Sequence, residues 1–199
     1  EIFVNGQKVG SWNYGYSYFY FDITKYIILN KKQTLAVKLT NKELSSRWYP
    51  GAGLYRNVRV IVKNQESIKQ WGTFITTPII TSASAKVNIK TKVSGKNLHL
   101  ITEIYDADKK LIRKNKTNTL FGEEFKQNIT IKKPQLWSPE TPYLYKATSK
   151  LYAGKVLKDE ITTRFGIRSI KYEAEKGFSL NGKTRKFKGV CLHHDLGPL

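Results

Sequence analysis

The chain has 199 residues, of which 40% are hydrophobic and 13% aromatic, enough for a packed core and too apolar for a disordered tail. Lys and Arg number 35 against 15 Asp and Glu, and the formal charge of +20 admits an anionic partner such as nucleic acid, acidic polysaccharide or a membrane surface. No apolar run, residues 18–21 being among the longest, nears the roughly 20 residues that span a bilayer, and a single cysteine, Cys191, excludes an internal disulfide.

The opening run Glu1-Ile2-Phe3-Val4 reads as a strand already under way. No leader pattern precedes it, so a longer N-terminal part is expected. The compartment is not read from the sequence, with periplasm or exterior favoured over cytoplasm. Asn5-Gly6 then predicts a tight hairpin, because both residues accept the positive φ that such a turn requires. Residues 34–39 predict a strand with Leu35, Val37 and Leu39 inward, and residues 57–62 another on Val58, Val60 and Val62. The polar stretch at 64–67 predicts a first boundary.

Beyond it, Lys86, Lys90 and Lys92 alternate with Val87, Ile89 and Val93. Alternation of that kind marks the solvated face of a strand, and a polyanion-binding surface is the alternative. Leu98, Leu100, Thr102 and Ile104 share one face, as do Ile129 and Ile131. Three prolines around Leu136-Trp137, in residues 134–142, predict an ordered loop. A second boundary is expected near 170–176, followed by a hairpin at Asn181-Gly182. The closing stretch is too short to fold alone and is expected to begin something larger. Strand signals recur about every ten residues without helical periodicity, the rhythm of β-sandwiches, so the fold class is all-β.

Few constellations offer chemistry. No P-loop, GxSxG, CxxC or HExxH spacing occurs, and three His with one Cys do not make a four-ligand zinc site. No cofactor or metal is expected. Glu123-Glu124 is the one adjacent carboxylate pair, and neighbours on a strand point apart. Two segments stand out. Residues 45–56 set Arg47, Trp48, Tyr49 and Arg56 among glycines, where aromatic faces could stack on sugar rings and guanidinium groups hold their hydroxyls, or the loop could fill an interface. Residues 187–195 form an apolar strand ending in His193-His194-Asp195, with His193 and Asp195 on one side if the strand persists, or a surface turn.

The ordered set of motifs resembles glycoside hydrolase family 2, the β-galactosidase, β-glucuronidase and β-mannosidase group. Val4-Asn5-Gly6 with Val9-Gly10, then Phe21-Asp22-Ile23-Thr24, is similar to the end of its jelly-roll sugar-binding domain, and Trp48 through Arg56 to that domain's closing signature. Leu136-Trp137-Ser138-Pro139-Glu140 with Pro142-Tyr143-Leu144-Tyr145, then Phe165-Gly166-Ile167-Arg168, is similar to its immunoglobulin-like domain. Gly177-Phe178 with Leu180-Asn181-Gly182, then Lys188-Gly189-Val190 and His193, is similar to the entry of its (β/α)8 barrel.

The resemblance implies a truncated jelly roll over 1–66, an immunoglobulin-like β-sandwich over 67–170 and the start of a (β/α)8 barrel over 171–199. It implies part of a retaining exo-β-glycosidase, β-galactosidase-like in the first instance. The family's two catalytic glutamates, about 5 to 5.5 Å apart in retaining enzymes, belong to later barrel strands, so no catalytic carboxylate is named here and the chain alone is expected to be inactive. His193 matches a histidine lining the subsite of the cleaved sugar, and Asp195 a pocket aspartate of glucuronidase-like members. Arg47 stands where an aspartate is usual, next to Trp48. That departure puts a donor where an acceptor is expected and places galactose or glucuronate specificity in doubt. Cys191 and His194 also depart, from an asparagine and an acidic residue. The expected partner is a carbohydrate, with no nucleic acid, no membrane span and homo-oligomerisation open. The alternative is a non-catalytic carbohydrate-binding module of tandem β-sandwiches.

Overall fold

The computed structural model describes residues 1–15, 17–41, 53–54, 56–119 and 123–190. It is all-β, with one short 3-10 turn at Thr24–Tyr26 among the described residues. The chain divides into two units, Glu1–Val60 and Ile61–Leu199.

In the first unit β1 (Ile2–Val4) lies between β2 (Gln7–Gly10) and β3 (Leu35–Val37), all antiparallel. Asn5 and Gly6 take φ of 50° and 78°, closing the two-residue turn that the dipeptide predicts. The Asn5 side chain does more than turn the chain. Its Nδ2 donates to the Tyr26 carbonyl (2.9 Å) and to Gln33 Oε1 (2.7 Å), and its Oδ1 accepts from Thr34 N (3.0 Å). One residue thus pins the hairpin to the segment entering β3. Ile2 and Val4 are buried on the central strand, but Leu35 and Leu39 are 44% and 48% exposed. Their expected inward placement fails because β3 ends at Val37, before Leu39, and no described element covers this side of the sheet. Residues 57–62 likewise form no strand, and Val58, Val60 and Val62 are exposed. Alternation becomes a strand only where another backbone supplies the ladder.

The second unit is a two-sheet sandwich. One sheet has the order β4 (Ser67–Ile80), β5 (Ser84–Ser94), β8 (Glu124–Lys132). The other runs β10 (Val156–Phe165), β9 (Tyr145–Ala153), β6 (Leu98–Tyr105), β7 (Leu111–Thr119). The alternating residues of β5, β6, β8 and β9 point inward as their period of two predicts. They build two apolar clusters, one around Val87, Ile104 and Ile131, the other around Ile68, Leu100 and Phe125. Buried polar residues share the same interior. Thr102 Oγ1 and Ser149 Oγ satisfy each other at 3.1 Å, whereas Thr91 Oγ1, on a fully buried residue, has no partner. On β4 the register breaks where Trp71 takes φ 51° and Gly72 follows. A Cβ on Gly72 would lie 2.7 Å from the Lys69 carbonyl oxygen, so only glycine fits the bulge.

A third, small sheet follows, ordered β11 (Ile170–Glu173), β12 (Gly177–Leu180), β13 (Lys183–Thr184). Its β12–β13 turn is Asn181-Gly182, at φ 52° and 76°, again as the dipeptide predicts.

Candidate functional site

Three motifs that are far apart in sequence meet where the sandwich hands the chain on to the third sheet. The proline-rich loop brings Trp137 to the end of β10, where Trp137 N donates to the Ile167 carbonyl at 2.8 Å. The indole lies directly on Gly166: a Cβ there would be 2.8 Å from Trp137 Cβ. The Arg168 guanidinium lies over the same indole, 5.0 Å from the ring centroid, a cation–π contact. Asn181 completes the seam. Its backbone N donates to the Ser169 carbonyl (2.9 Å), its Oδ1 accepts from Ser169 N (3.0 Å), and its Nδ2 donates to the Trp137 carbonyl (3.0 Å).

A second tie lies beside it. The Arg185 guanidinium grips the Glu140 carboxylate through two nitrogens, at 2.5 and 2.8 Å. Hydrogen bonding by Arg185 holds the Glu140 carboxyl down at about 2, with its own backbone N–H and Ser138 adding to the effect. Phe178 packs against Tyr172 and Phe187 in tilted geometry, with ring centroids 5.2 and 4.5 Å apart, a small aromatic group around the hairpin. Arg185 N closes the sheet by donating to the Phe178 carbonyl at 2.9 Å.

An open groove of about 740 Å³ borders the seam, between the end of β4 and the Arg164–Arg168 turn. It carries two guanidinium groups, the Thr77 hydroxyl bonded to the Arg168 carbonyl at 3.2 Å, and no carboxylate. Acid–base chemistry on a sugar needs carboxyl groups, and the described lining of this groove holds none. Glu123 and Glu124 serve as surface ions: Glu123 pairs with Lys69, and Glu124 lies opposite Lys92 in the β5–β8 register. Among the described residues no three His, Cys, Asp or Glu side chains gather into a metal-holding group.

The four residues assigned to substrate by sequence, Arg47, Trp48, His193 and Asp195, lie outside the described residues. The convergence of Trp137, Gly166, Arg168 and Asn181 is not legible in the sequence. Each was visible as a motif letter. Their meeting is a property of the fold.

The family model of glycosyl hydrolases family 2 matches residues 67–168, just over half of the chain, and takes in Trp137, Gly166 and Arg168. The chain belongs to glycosyl hydrolases family 2. Beta-galactosidase BoGH2A of Bacteroides ovatus is 37% identical to this family 2 chain over its whole length, and the match covers 25% of that protein. The solved structure of a family 2 member from Bacteroides cellulosilyticus superposes with a TM-score of 0.90 at 35% identity, covering 98% of this chain and 28% of that one. Bacteroides uniformis beta-glucuronidase 2, solved covalently bound to cyclophellitol-6-carboxylate aziridine, superposes with a TM-score of 0.82 at 29% identity, covering 98% and 26%. The chain therefore spans about a quarter of the length of the relatives it matches. Among the described residues no helix is long and apolar enough to cross a membrane.

Proposed function

We propose that the chain is the accessory portion of a retaining exo-β-glycosidase, β-galactosidase-like in its specificity, and that its role is to aim a catalytic barrel at a terminal β-linked sugar. The seam carries this reading. Trp137, Arg168 and Asn181 fix the direction in which the chain leaves the sandwich, and a barrel strand needs that direction held. The three-plus-four strand arrangement over 67–170 fits an immunoglobulin-like sandwich. Residues 1–66 are read as the closing part of a jelly roll and 171–199 as the start of the (β/α)8 barrel.

On this reading His193 and Asp195 sit at the C-terminal end of the first barrel strand, where barrel enzymes build their sites, and contact the cleaved sugar. Arg47 and Trp48 are assigned to the same substrate, Trp48 by stacking and Arg47 by donating hydrogen bonds. A relative bound covalently to an aziridine is in keeping with a retaining route through a glycosyl-enzyme. Relatives named for galactose and for glucuronate both occur, so the sugar is settled by assay.

The test is hydrolysis of nitrophenyl β-galactoside, β-glucuronide and β-mannoside by the full-length protein, beside the 199-residue chain alone. Turnover of a β-glycoside with retention by the former and none by the latter is expected. A folded full-length protein that hydrolyses none of the three, or turnover by this chain alone, overturns the reading. Sugar binding without turnover at full length would make it a non-catalytic carbohydrate-binding module instead.

A further inference from the structure

The outward face of the β4–β5–β8 sheet is a cationic lattice that the cleavage reading does not use. Lys90 on β5 stands directly opposite Lys126 on β8. Like charges so placed repel, because facing side chains of an antiparallel pair start about 5 Å apart at Cβ. Lys86 lies further along β5, and Lys132 opposite Ser84 extends the row on β8. All four ammonium-bearing side chains belong to exposed residues. Glu124 is the one acid within β4, β5 and β8 on this face, and the neighbouring Glu123 pairs with Lys69 at its edge. Glu124 lies opposite Lys92 and reaches Lys126 only at 4.0 Å. Lys86, Lys90 and Lys132 have no ion-pair partner among the described residues.

The centre of the face carries two facing amides, bordered on the β4 side by Pro78 and Ile79. Asn88 faces Asn128 across the same two strands, and neither amide has a hydrogen-bond partner among the described residues. Together with Lys86, Thr130 and Ile79 they line a shallow depression of about 300 Å³. Side chains on one face of a strand recur about every 7 Å, so the lysines form a ladder along β5 and β8 with the amide pair between rungs. Amides offer both donors and acceptors to hydroxyl groups, and ammonium groups neutralise anions.

We propose that this face binds a polysaccharide carrying carboxylate or sulfate groups, its charges on the lysine ladder and its hydroxyls on Asn88 and Asn128. Charge complementarity decides for an anionic occupant, and the amide-lined centre for a sugar chain. A single-stranded nucleic acid would need a row of aromatic platforms, and Phe74 is the one exposed aromatic in register with the ladder. The proposal goes beyond glycoside cleavage and does not depend on it: the face would hold an acidic chain whether or not the full-length protein cuts one.

The experiment uses the 199-residue chain and a matched pair of probes, dextran sulfate and uncharged dextran, with an oligothymidine strand as a third. Dextran sulfate is expected to bind in a salt-dependent way and dextran weakly or not at all. The variant K86Q/K90Q/K126Q/K132Q should bind dextran sulfate about tenfold more weakly and with a shallower salt slope, as loss of charge contacts requires. The control K31Q/K32Q/K155Q/K176Q removes the same charge from exposed positions elsewhere and should change affinity less than about twofold. A control that weakens binding as much as the face variant overturns the proposal, since net charge alone would then be acting. So does a face variant that binds like the parent, equal binding of dextran, no binding of dextran sulfate, or tighter binding of oligothymidine through the same four lysines.

Discussion

Trp137 rests against Gly166 so closely that an added Cβ would lie 2.8 Å from Trp137 Cβ and 2.9 Å from Cγ. Contact at that range leaves no room for a methyl group unless the indole or the β10 turn shifts. Gly166→Ala is expected to destabilise the second unit by about 1–3 kcal/mol, the usual cost of overpacking. Urea unfolding of the chain should give a lower midpoint at an unchanged slope. An unaltered midpoint would mean that Trp137 can move aside freely, and the seam would not be the rigid element described above.

Asn181 makes three hydrogen bonds across the same seam while holding φ 52°. Asn181→Ala deletes both side-chain bonds and leaves the Trp137 carbonyl and Ser169 N–H without those partners. It also places a residue that disfavours the left-handed region in that conformation. The expected cost is about 2–4 kcal/mol, felt locally. Hydrogen exchange should report loss of protection over β11 and β12 with β5, β6 and β9 unchanged. Uniform loss across the sandwich would show that the hairpin and sandwich unfold as one unit.

The two Asn-Gly hairpins were legible in the sequence because the chemistry is local: both residues must take positive φ, and few others do so at low cost. The inward faces of β5, β6, β8 and β9 were legible for a similar reason, since a period of two fixes which side chains agree. What alternation does not encode is the element that covers a face. Leu35, Leu39 and Val58 through Val62 have the pattern of buried strand residues and are exposed, because no described element covers their faces. The seam was half legible. Its letters stood out as motifs, but the stacking of Arg168 on Trp137 and the reach of Asn181 depend on loop paths that no local pattern specifies. Arg47, Trp48, His193 and Asp195 lie outside the described residues, and their contact with substrate is a proposal.

Thr91 is fully buried on the inner side of β5, and its hydroxyl has no partner; its register partner Thr73 also has an unpaired hydroxyl. A buried hydroxyl without a hydrogen bond loses its hydration and gains nothing in return. Thr91→Val keeps the branched shape and removes the orphaned group. It should raise stability by about 1 kcal/mol, with a matching rise in the urea midpoint. A fall in stability would reveal that the hydroxyl is satisfied by a buried water.

Lys90 and Lys126 face each other whether or not an anion is bound, which gives a stability consequence separate from binding. Lys90→Thr removes one of two like charges and places a good strand former on the face. A gain of about 0.2–1 kcal/mol is expected at low salt, shrinking as salt screens the pair in the parent chain. Thermal unfolding at low and high salt measures both. A loss of stability at low salt would indicate that the Lys90 stem covers apolar surface, such as Phe74 opposite it.

Glu103 is the buried carboxylate of the sandwich, and its environment predicts an acid limb in the stability profile. Lys150 donates to it at 2.9 Å, Lys114 lies at 3.0 Å, and the Tyr105 hydroxyl donates at 2.9 Å. These bonds, that of Lys150 foremost, outweigh the burial that would raise its pKa and hold it at about 2 against an ordinary 4.5. A carboxyl whose folded pKa is the lower one favours folding above its unfolded pKa. That contribution is lost as pH falls from about 4.5 through about 2. The Lys114 side chain is 56% exposed, so solvent screens its share, and the group as a whole should contribute about 1–3 kcal/mol near neutrality. Glu103→Gln is expected to lose that amount at pH 7 and to approach the parent near pH 2. Unfolding midpoints followed across that range should therefore converge toward low pH. Curves that stay parallel down to pH 2 would place the acid sensitivity in other carboxylates.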